Sequence, residues 1–325
     1  MAADTDQSPD THRMQCMEVW GGNEAIDNGA VMPGLDAWIY SRPYKDDPSG
    51  GDVHFVSNCA SGRITRMLIA DVSGHGTAVS AIAANLRTLM RRYINYLDQT
   101  RFIEAVNREF AHIGREGGFA TSIAATFWAP TAVLVTCNAG HPRPLWYRAR
   151  KKQWQHLFHD RHDGDDDGAV NLPLGVIEPT RYPQFGVRLR RDDLVLIYTD
   201  SLIESRDAQG KQIGEDGLLQ IAQGLDPKQP NKLIRDLLQA VEDHRGGAPA
   251  EDDVTILTLR HNGTLPRMTM SDRIASMGRM LKMIVERLRP GTPPIAWPEV
   301  RVETIGGTFF NRLNWRWGGK QPNDD

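Results

Sequence analysis

One run constrains the fold of this 325-residue chain more than any other: Leu68-Ile69-Ala70-Asp71-Val72-Ser73-Gly74-His75-Gly76-Thr77-Ala78. It begins apolar, stops at an acid, turns through two glycines and opens a helical pattern. From Val79 the apolar residues Ile82, Ala83, Leu86, Leu89, Met90, Tyr93 and Ile94 recur at three- and four-residue spacing, which predicts a helix over about 77–96. Asp71 therefore ends a buried strand beside a turn whose glycines let main chain approach a ligand closely. A carboxylate there can be a metal ligand, a catalytic base or a helix cap. Ser73 and Thr77 stand closer to the helical pattern and suit the cap better.

Other segments set this unit in a mixed architecture. Leu35–Tyr40, Val53–Val56, Met67–Ala70, Phe119–Trp128, Val133–Cys137, Pro144–Arg148, Asp193–Asp200 and Val254–Leu259 read as strands, several bounded by glycine or proline turns. Phe102, Val106, Phe110 and Ile113 mark a second helix, and Leu233, Ile234, Leu237, Leu238 and Val241 a third over 230–244. Many strands mixed with helices, without strict βαβ alternation, predict an α+β fold with antiparallel sheets. Residues 1–13 read as a disordered tail, and 14–34 carry no assignable pattern.

Lys and Arg number 38 against 41 Asp and Glu, a balance that makes no case for nucleic acid or an anionic membrane as partner. Cys16, Cys59 and Cys137 are far apart and lack metal spacing, which suits a reducing compartment better than a disulfide framework. The start of the chain is polar and acidic, unlike a signal peptide. No apolar run approaches the ~20 residues that span a bilayer. The expectation is a soluble, cytoplasmic protein with no transmembrane segment.

Four acidic positions share a context. Asp52 follows Gly50-Gly51, Asp71 and Asp200 each end an apolar strand, and Asp252-Asp253 precede one. Strand ends can converge on one edge of a sheet. Carboxylates gathered there are hard oxygen ligands suited to Mg²⁺ or Mn²⁺. Two such ions sharing a water could lower its pKa and hold a phosphoryl group for in-line attack.

Six blocks then occur in order: Gly50-Gly51-Asp52, Asp71-Val-Ser-Gly-His-Gly76, Asn138-Ala-Gly-His-Pro142, Leu172-Pro-Leu-Gly175, Tyr198-Thr-Asp200 with Glu204, and Asp252-Asp253-Val-Thr255. Over about 35–260 the chain resembles the metal-dependent protein serine/threonine phosphatases, the PPM or type 2C superfamily. It is most similar to the bacterial branch that regulates sigma factors and sporulation.

The resemblance implies an α-β-β-α sandwich of two antiparallel sheets flanked by helices, with two Mn²⁺ or Mg²⁺ ions at one edge. It divides the chain into a tail and lead-in (1–34), a phosphatase domain (35–262) and a C-terminal extension (263–325). Asp71 would bridge both ions, joined by the Val72 main-chain carbonyl, Asp52, Asp200 and Asp252, with Asp253 as the alternative to Asp252. His75 is a candidate to orient water or donate a proton, or else packs the turn. The implied reaction is hydrolysis of phosphoserine or phosphothreonine on a regulatory phosphoprotein, such as an anti-sigma-factor antagonist. The rival reading is a phosphatase-like binding module that has lost catalysis.

Departures and decoys accompany these blocks. Ser201 replaces the family's usual glycine after Asp200, which is strained only if φ is positive there. Arg42 and Arg63 are candidates for binding phosphate. His141 is read as shaping a turn near the site, and Thr199 and Glu204 as supporting the Asp200 turn. Asp163–Gly168 copies half an EF-hand loop, but Leu174 stands where its glutamate belongs. The His-Asp pairs at 159–160 and 162–163 lie in that same loop without a helical pattern. A basic, Met-rich helix capped by Ser271 is expected to dock on the domain; the alternative is that the 263–325 tail binds a regulatory partner.

Overall fold

The computed structural model describes residues 11–15, 18–59, 62–74, 77–94, 96, 98–113, 118–157 and 169–265. In chain order the elements are β1 (Thr11–Arg13), β2 (Val19–Gly22), β3 (Ile26–Met32), β4 (Leu35–Arg42), β5 (Asp52–Cys59), β6 (Ile64–Val72), α1 (Thr77–Tyr93) and α2 (Gln99–Ile113). There follow β7 (Ala120–Trp128), β8 (Val133–Ala139), β9 (Leu145–Arg148), β10 (Gln153–His156), β11 (Phe185–Arg188) and β12 (Leu194–Tyr198). The last are α3 (Ser201–Glu204), α4 (Gly214–Gln223), α5 (Pro230–His244) and β13 (Val254–His261).

Two sheets result. A seven-stranded sheet runs β1-β3-β4-β13-β12-β9-β10, and a six-stranded sheet runs β11-β8-β7-β6-β5-β2. Pairing is antiparallel except where β1 lies parallel to β3.

The apolar run in β6 has a simple cause: both of its faces are covered. Met67 and Ile69 point inward and pack with Ile39, Val195, Leu257 and Leu259 of the other sheet. Leu68, Ala70 and Val72 point outward, against Ala83, Leu86 and Met90 of α1 and Val106 and Phe110 of α2. A strand buried on two faces loses the apolar–polar alternation of a half-exposed one. The seven-stranded sheet repeats the scheme. Leu194, Leu196, Tyr198 and Ile256 meet Leu218 of α4 and Leu233, Leu237 and Val241 of α5. Burying side chains of this size contributes about 2 kcal/mol each, far more than helix propensity supplies. The order of layers is helix, sheet, sheet, helix, as the α+β sandwich expectation requires.

Differences from the sequence reading fall on short or irregular elements. Thr11–Arg13 pairs with Gly29–Val31 where a tail was expected to reach residue 13. The unassigned 14–34 region yields β2 and β3, one for each sheet. Strand β2 reads Val-Trp-Gly-Gly and β11 Phe-Gly-Val-Arg, too short and too rich in glycine to show a period. Helix α4 starts on a glycine and carries another inside. His75, the 159–168 loop and the C-terminal segment from 266 lie outside the described residues.

Candidate metal centre

Topology brings the acidic blocks together. Asp52 opens β5 and lies directly opposite Asp71 near the end of β6, which in turn faces Thr121 of β7. Strands β12 and β13 pair antiparallel, with Tyr198 opposite Ile256. The segment leaving β12 therefore meets the segment entering β13. There the Thr199 amide donates to the Thr255 carbonyl at 3.0 Å. Asp52 and Asp71 thus come from one sheet, Asp200 and Asp252-Asp253 from the other, and all reach the same edge.

The carboxyl groups feel one another strongly. Burial, then the charge of Asp253, pushes the Asp52 carboxyl well above the usual carboxylate range, against hydrogen bonds from Thr255 and Thr199. Asp71 is pushed well above it too, by burial and then by the charges of Asp52, Asp200 and Asp252. Asp200 is raised by burial, Glu204 and Asp252. The Asp71 and Asp200 carboxyls also interact directly, which raises Asp71 further and partly offsets the rise at Asp200. Like charges this close cannot all ionise without a counter-charge.

Other contacts fix the frame. The Thr199 hydroxyl donates to Asp52 Oδ2 at 3.0 Å, crossing between the sheets, and the Thr255 amide donates to Thr199 Oγ1 at 3.0 Å. Thr199, read from sequence as supporting the Asp200 turn, accepts there from the Leu202 amide at 3.4 Å and also serves Asp52. That contact spans 147 positions, so no local pattern could announce it. The other Asp52 oxygen, Oδ1, is buried and has no hydrogen-bond partner. After Val72, the Ser73 amide donates to the Phe119 carbonyl at 2.9 Å, and the Phe119 amide to Ser73 Oγ at 3.2 Å. The loop before Asp52 is fastened as well: Gly50 exchanges hydrogen bonds with Asn23 at 2.8 and 3.0 Å, and Ser80 of α1 donates to the Ser49 carbonyl at 2.8 Å.

Two further blocks shape the surroundings. Asn138 Oδ1 accepts from the His141 amide at 2.7 Å and its Nδ2 donates to the His141 carbonyl at 2.8 Å, closing the turn. Gly140 has φ +69, and a Cβ on it would lie 2.5 Å from Pro173 Cγ. The Asn-Ala-Gly-His-Pro and Leu-Pro-Leu-Gly blocks are therefore two halves of one packing arrangement. His141 Nδ1 lies 2.9 Å from the Thr121 hydroxyl, and burial pulls its pKa down from 6.5 to about 3.

Asp200 has φ −65 and ψ −22, and Ser201 begins the helical turn of α3. Serine is therefore unstrained where the family uses glycine. The arginine candidates separate. Arg42 lies opposite Val254, two residues from Asp252, whereas Arg63 precedes β6 at the end remote from Asp71.

A metal ion suits this edge chemically. The donors are hard oxygens, burial and neighbouring acids raise Asp52, Asp71 and Asp200, and Asp52 Oδ1 is buried without a partner. Among the described residues, no three Asp, Glu, His or Cys side chains are already grouped so as to hold an ion.

The family model for Stage II sporulation protein E (SpoIIE) matches residues 61–262. The chain belongs to the SpoIIE family. Within curated proteins, this SpoIIE-family chain is similar to phosphoserine phosphatase RsbU of Bacillus subtilis (strain 168), at 25% identity over 249 residues, covering 73% of the chain and 64% of RsbU. The chain spans less than two thirds of the length of the curated relatives it matches. Among solved structures it resembles the RsbU and RsbW domains of Rv1364c from Mycobacterium tuberculosis, with a TM-score of 0.60 at 24% identity over 81% of this chain and 72% of that one. The phosphatase-domain structure of SpoIIE from Bacillus subtilis, which includes a fragment of its regulatory domain, gives a TM-score of 0.56 at 16% identity, covering 76% and 64%. These likenesses show that the sandwich is a PP2C-type fold.

Proposed function

We propose that this SpoIIE-family chain is a divalent-metal-dependent phosphatase that hydrolyses phosphoserine or phosphothreonine on a regulatory phosphoprotein. The observation that carries the reading is the meeting of Asp52, Asp71, Asp200 and Asp252 from four strand ends in two sheets, each of the first three raised by burial and neighbouring acids. Asp52, Asp71, Asp200 and Asp252, with the Val72 carbonyl, would hold Mn²⁺ or Mg²⁺, and the family resemblance favours two ions. When bound, the metal supplies an activated water and offsets the charge of the phosphoryl oxygens. Asp71 and Asp52, facing each other in register, fix the spacing of the inner donors, and Thr199 holds the Asp52 carboxylate from the opposite sheet. Arg42, at the same edge as Asp252, is the better placed of the two arginine candidates to pair with phosphate.

RsbU, the relative named a phosphoserine phosphatase, supports the substrate class; from the family resemblance, the phosphoprotein proposed is an anti-sigma-factor antagonist. We assign the phosphatase unit to about 35–262, the lead-in to 1–34 and the extension to 263–325, which is a candidate for contact with a regulatory partner. No described helix is long and apolar enough to cross a membrane, and the action on a regulatory phosphoprotein is assigned to the cytoplasm. The alternative is an inactive binding module, and Ser201 lends it no support because it begins a helical turn.

Phosphate release from a phosphoserine peptide, with and without Mn²⁺, tests the proposal when Asp71→Asn is run beside the wild type. The expected result is activity that needs the metal and is lost in the variant. A folded wild-type chain that neither binds Mn²⁺ nor releases phosphate contradicts it.

A further inference from the structure

The resemblance favours Asp252 as the ligand with Asp253 as the alternative; the structure gives the two different surroundings. Asp253 is buried, and both of its oxygens are occupied by main chain. Oδ1 accepts from the Tyr44 amide at 2.6 Å. Oδ2 accepts from the Gly51 amide and, at 3.3 Å, from the Asp52 amide. Three amides of the loop that enters β5 thus converge on one carboxylate carried at the start of β13, in the opposite sheet. Asp252 receives the Asp253 amide at 2.8 Å on Oδ1, and its charge acts on Asp71 and Asp200.

The glycines before Asp52 are the other half of this contact. A Cβ on Gly50 would lie 2.4 Å from Asp253 Oδ2 and 2.6 Å from its Oδ1 and Cγ. One on Gly51 would lie 2.8 Å from Val79 Cγ1 and 2.9 Å from the Val72 carbonyl oxygen. Neither glycine has positive φ. Their small size, and not their conformational freedom, is what the position requires.

We propose that Asp253 is a positioning residue and not a metal ligand: its carboxylate clasps the Gly50-Gly51-Asp52 loop across the two sheets and thereby sets Asp52 where a metal can use it. The inference rests on the metal reading given above. It gives Gly50-Gly51 and Asp253 a joint task that neither motif reveals alone. The clasp orders the loop main chain before any ion arrives, so its loss weakens binding without removing a donor. Loss of a ligand removes a donor outright.

The test compares the wild-type full chain with Asp252→Asn, Asp253→Asn, Gly50→Ala and the Gly50→Ala/Asp253→Asn double variant. Mn²⁺ binding is followed by calorimetry, and the Mn²⁺ dependence of phosphate release is measured on the same samples. Asp252→Asn is expected to lower the number of ions bound. Asp253→Asn and Gly50→Ala are expected to keep the wild-type number, weaken binding tenfold or more, and recover kcat at saturating Mn²⁺. The double variant should be no weaker than the weaker single, because both substitutions break one contact. Gly50→Ala leaves every acid in place, so it carries the test if Asp253→Asn does not fold. Loss of a bound ion in Asp253→Asn, matching Asp252→Asn, overturns the clasp, as does unchanged affinity in both Asp253→Asn and Gly50→Ala. A wild-type chain that binds no Mn²⁺ overturns the metal reading itself and the positioning role with it, an outcome distinct from either.

Discussion

Acidification should weaken the fold through His141. Its ring is buried, Nδ1 sits 2.9 Å from the Thr121 hydroxyl and Nε2 is buried without a partner. Burial lowers its pKa from 6.5 to about 3, with the Tyr198 main chain opposing. Between those values the unfolded chain binds a proton that the folded chain refuses, so stability declines as pH falls. Above about 6.5 the group contributes no penalty. Below it the slope approaches ~1.4 kcal/mol per pH unit, and by pH 4 the accumulated loss is roughly 3 kcal/mol. That is a large share of the ~5–15 kcal/mol that stabilises a typical protein. Urea unfolding of wild type and His141→Gln, in chelator-treated buffer from pH 7 to pH 4, isolates the effect. The raised acids Asp52, Asp71 and Asp200 act in the opposite direction, favouring the fold as pH falls, but they are common to both proteins and cancel in the difference. His54, lowered to about 4 mainly by burial, cancels in the same way. The glutamine variant should start less stable at pH 7 and lose about 3 kcal/mol less on acidification. A gap between the two proteins that stays constant with pH would show that His141 is not held neutral, and the reasoning fails.

Four other substitutions probe separate parts of the structure. Gly140→Ala combines positive φ with a Cβ 2.5 Å from Pro173 and should cost more than ~2 kcal/mol of unfolding free energy; a loss under ~0.5 kcal/mol on that scale would show that the two blocks do not pack as described. In metal-free protein near pH 7.5, Asp71→Asn should raise the melting temperature, since the raised folded pKa makes the ionised form a liability at neutral pH, while abolishing metal-dependent phosphate release. An unchanged or lower melting temperature counts against mutual repulsion at this edge. Ser201→Gly should leave phosphate release unaltered, because residue 201 already lies in a helical turn; a gain in activity would mean that serine does impair the site. Leu237→Ala, which empties a fully buried position beneath α5, should cost about 2–5 kcal/mol by chemical denaturation.

Much of the scaffold was legible in the chain because its signals are local. The three-to-four spacing after Val79 and across 230–244 gave α1 and α5 almost to the residue, and the doubly covered strands β6 and β12 showed as unbroken apolar runs ending in acids. Short elements with glycines or few apolar residues, such as β2, β11 and α4, carry no period and had to wait for the sheets that hold them. At the candidate site, the chain itself determined the supply of hard oxygen donors and their positions at strand ends. Tertiary structure alone decided which main-chain and side-chain partners each of them meets. Asp252 and Asp253 are neighbours of identical chemistry, and only the closure of one sheet over the other gives Asp253 three main-chain amides. The same closure brings Thr199 to Asp52 and separates Arg42 from Arg63. These are contacts between residues far apart in the chain, fixed by strand order and register, and no window of sequence contains both partners.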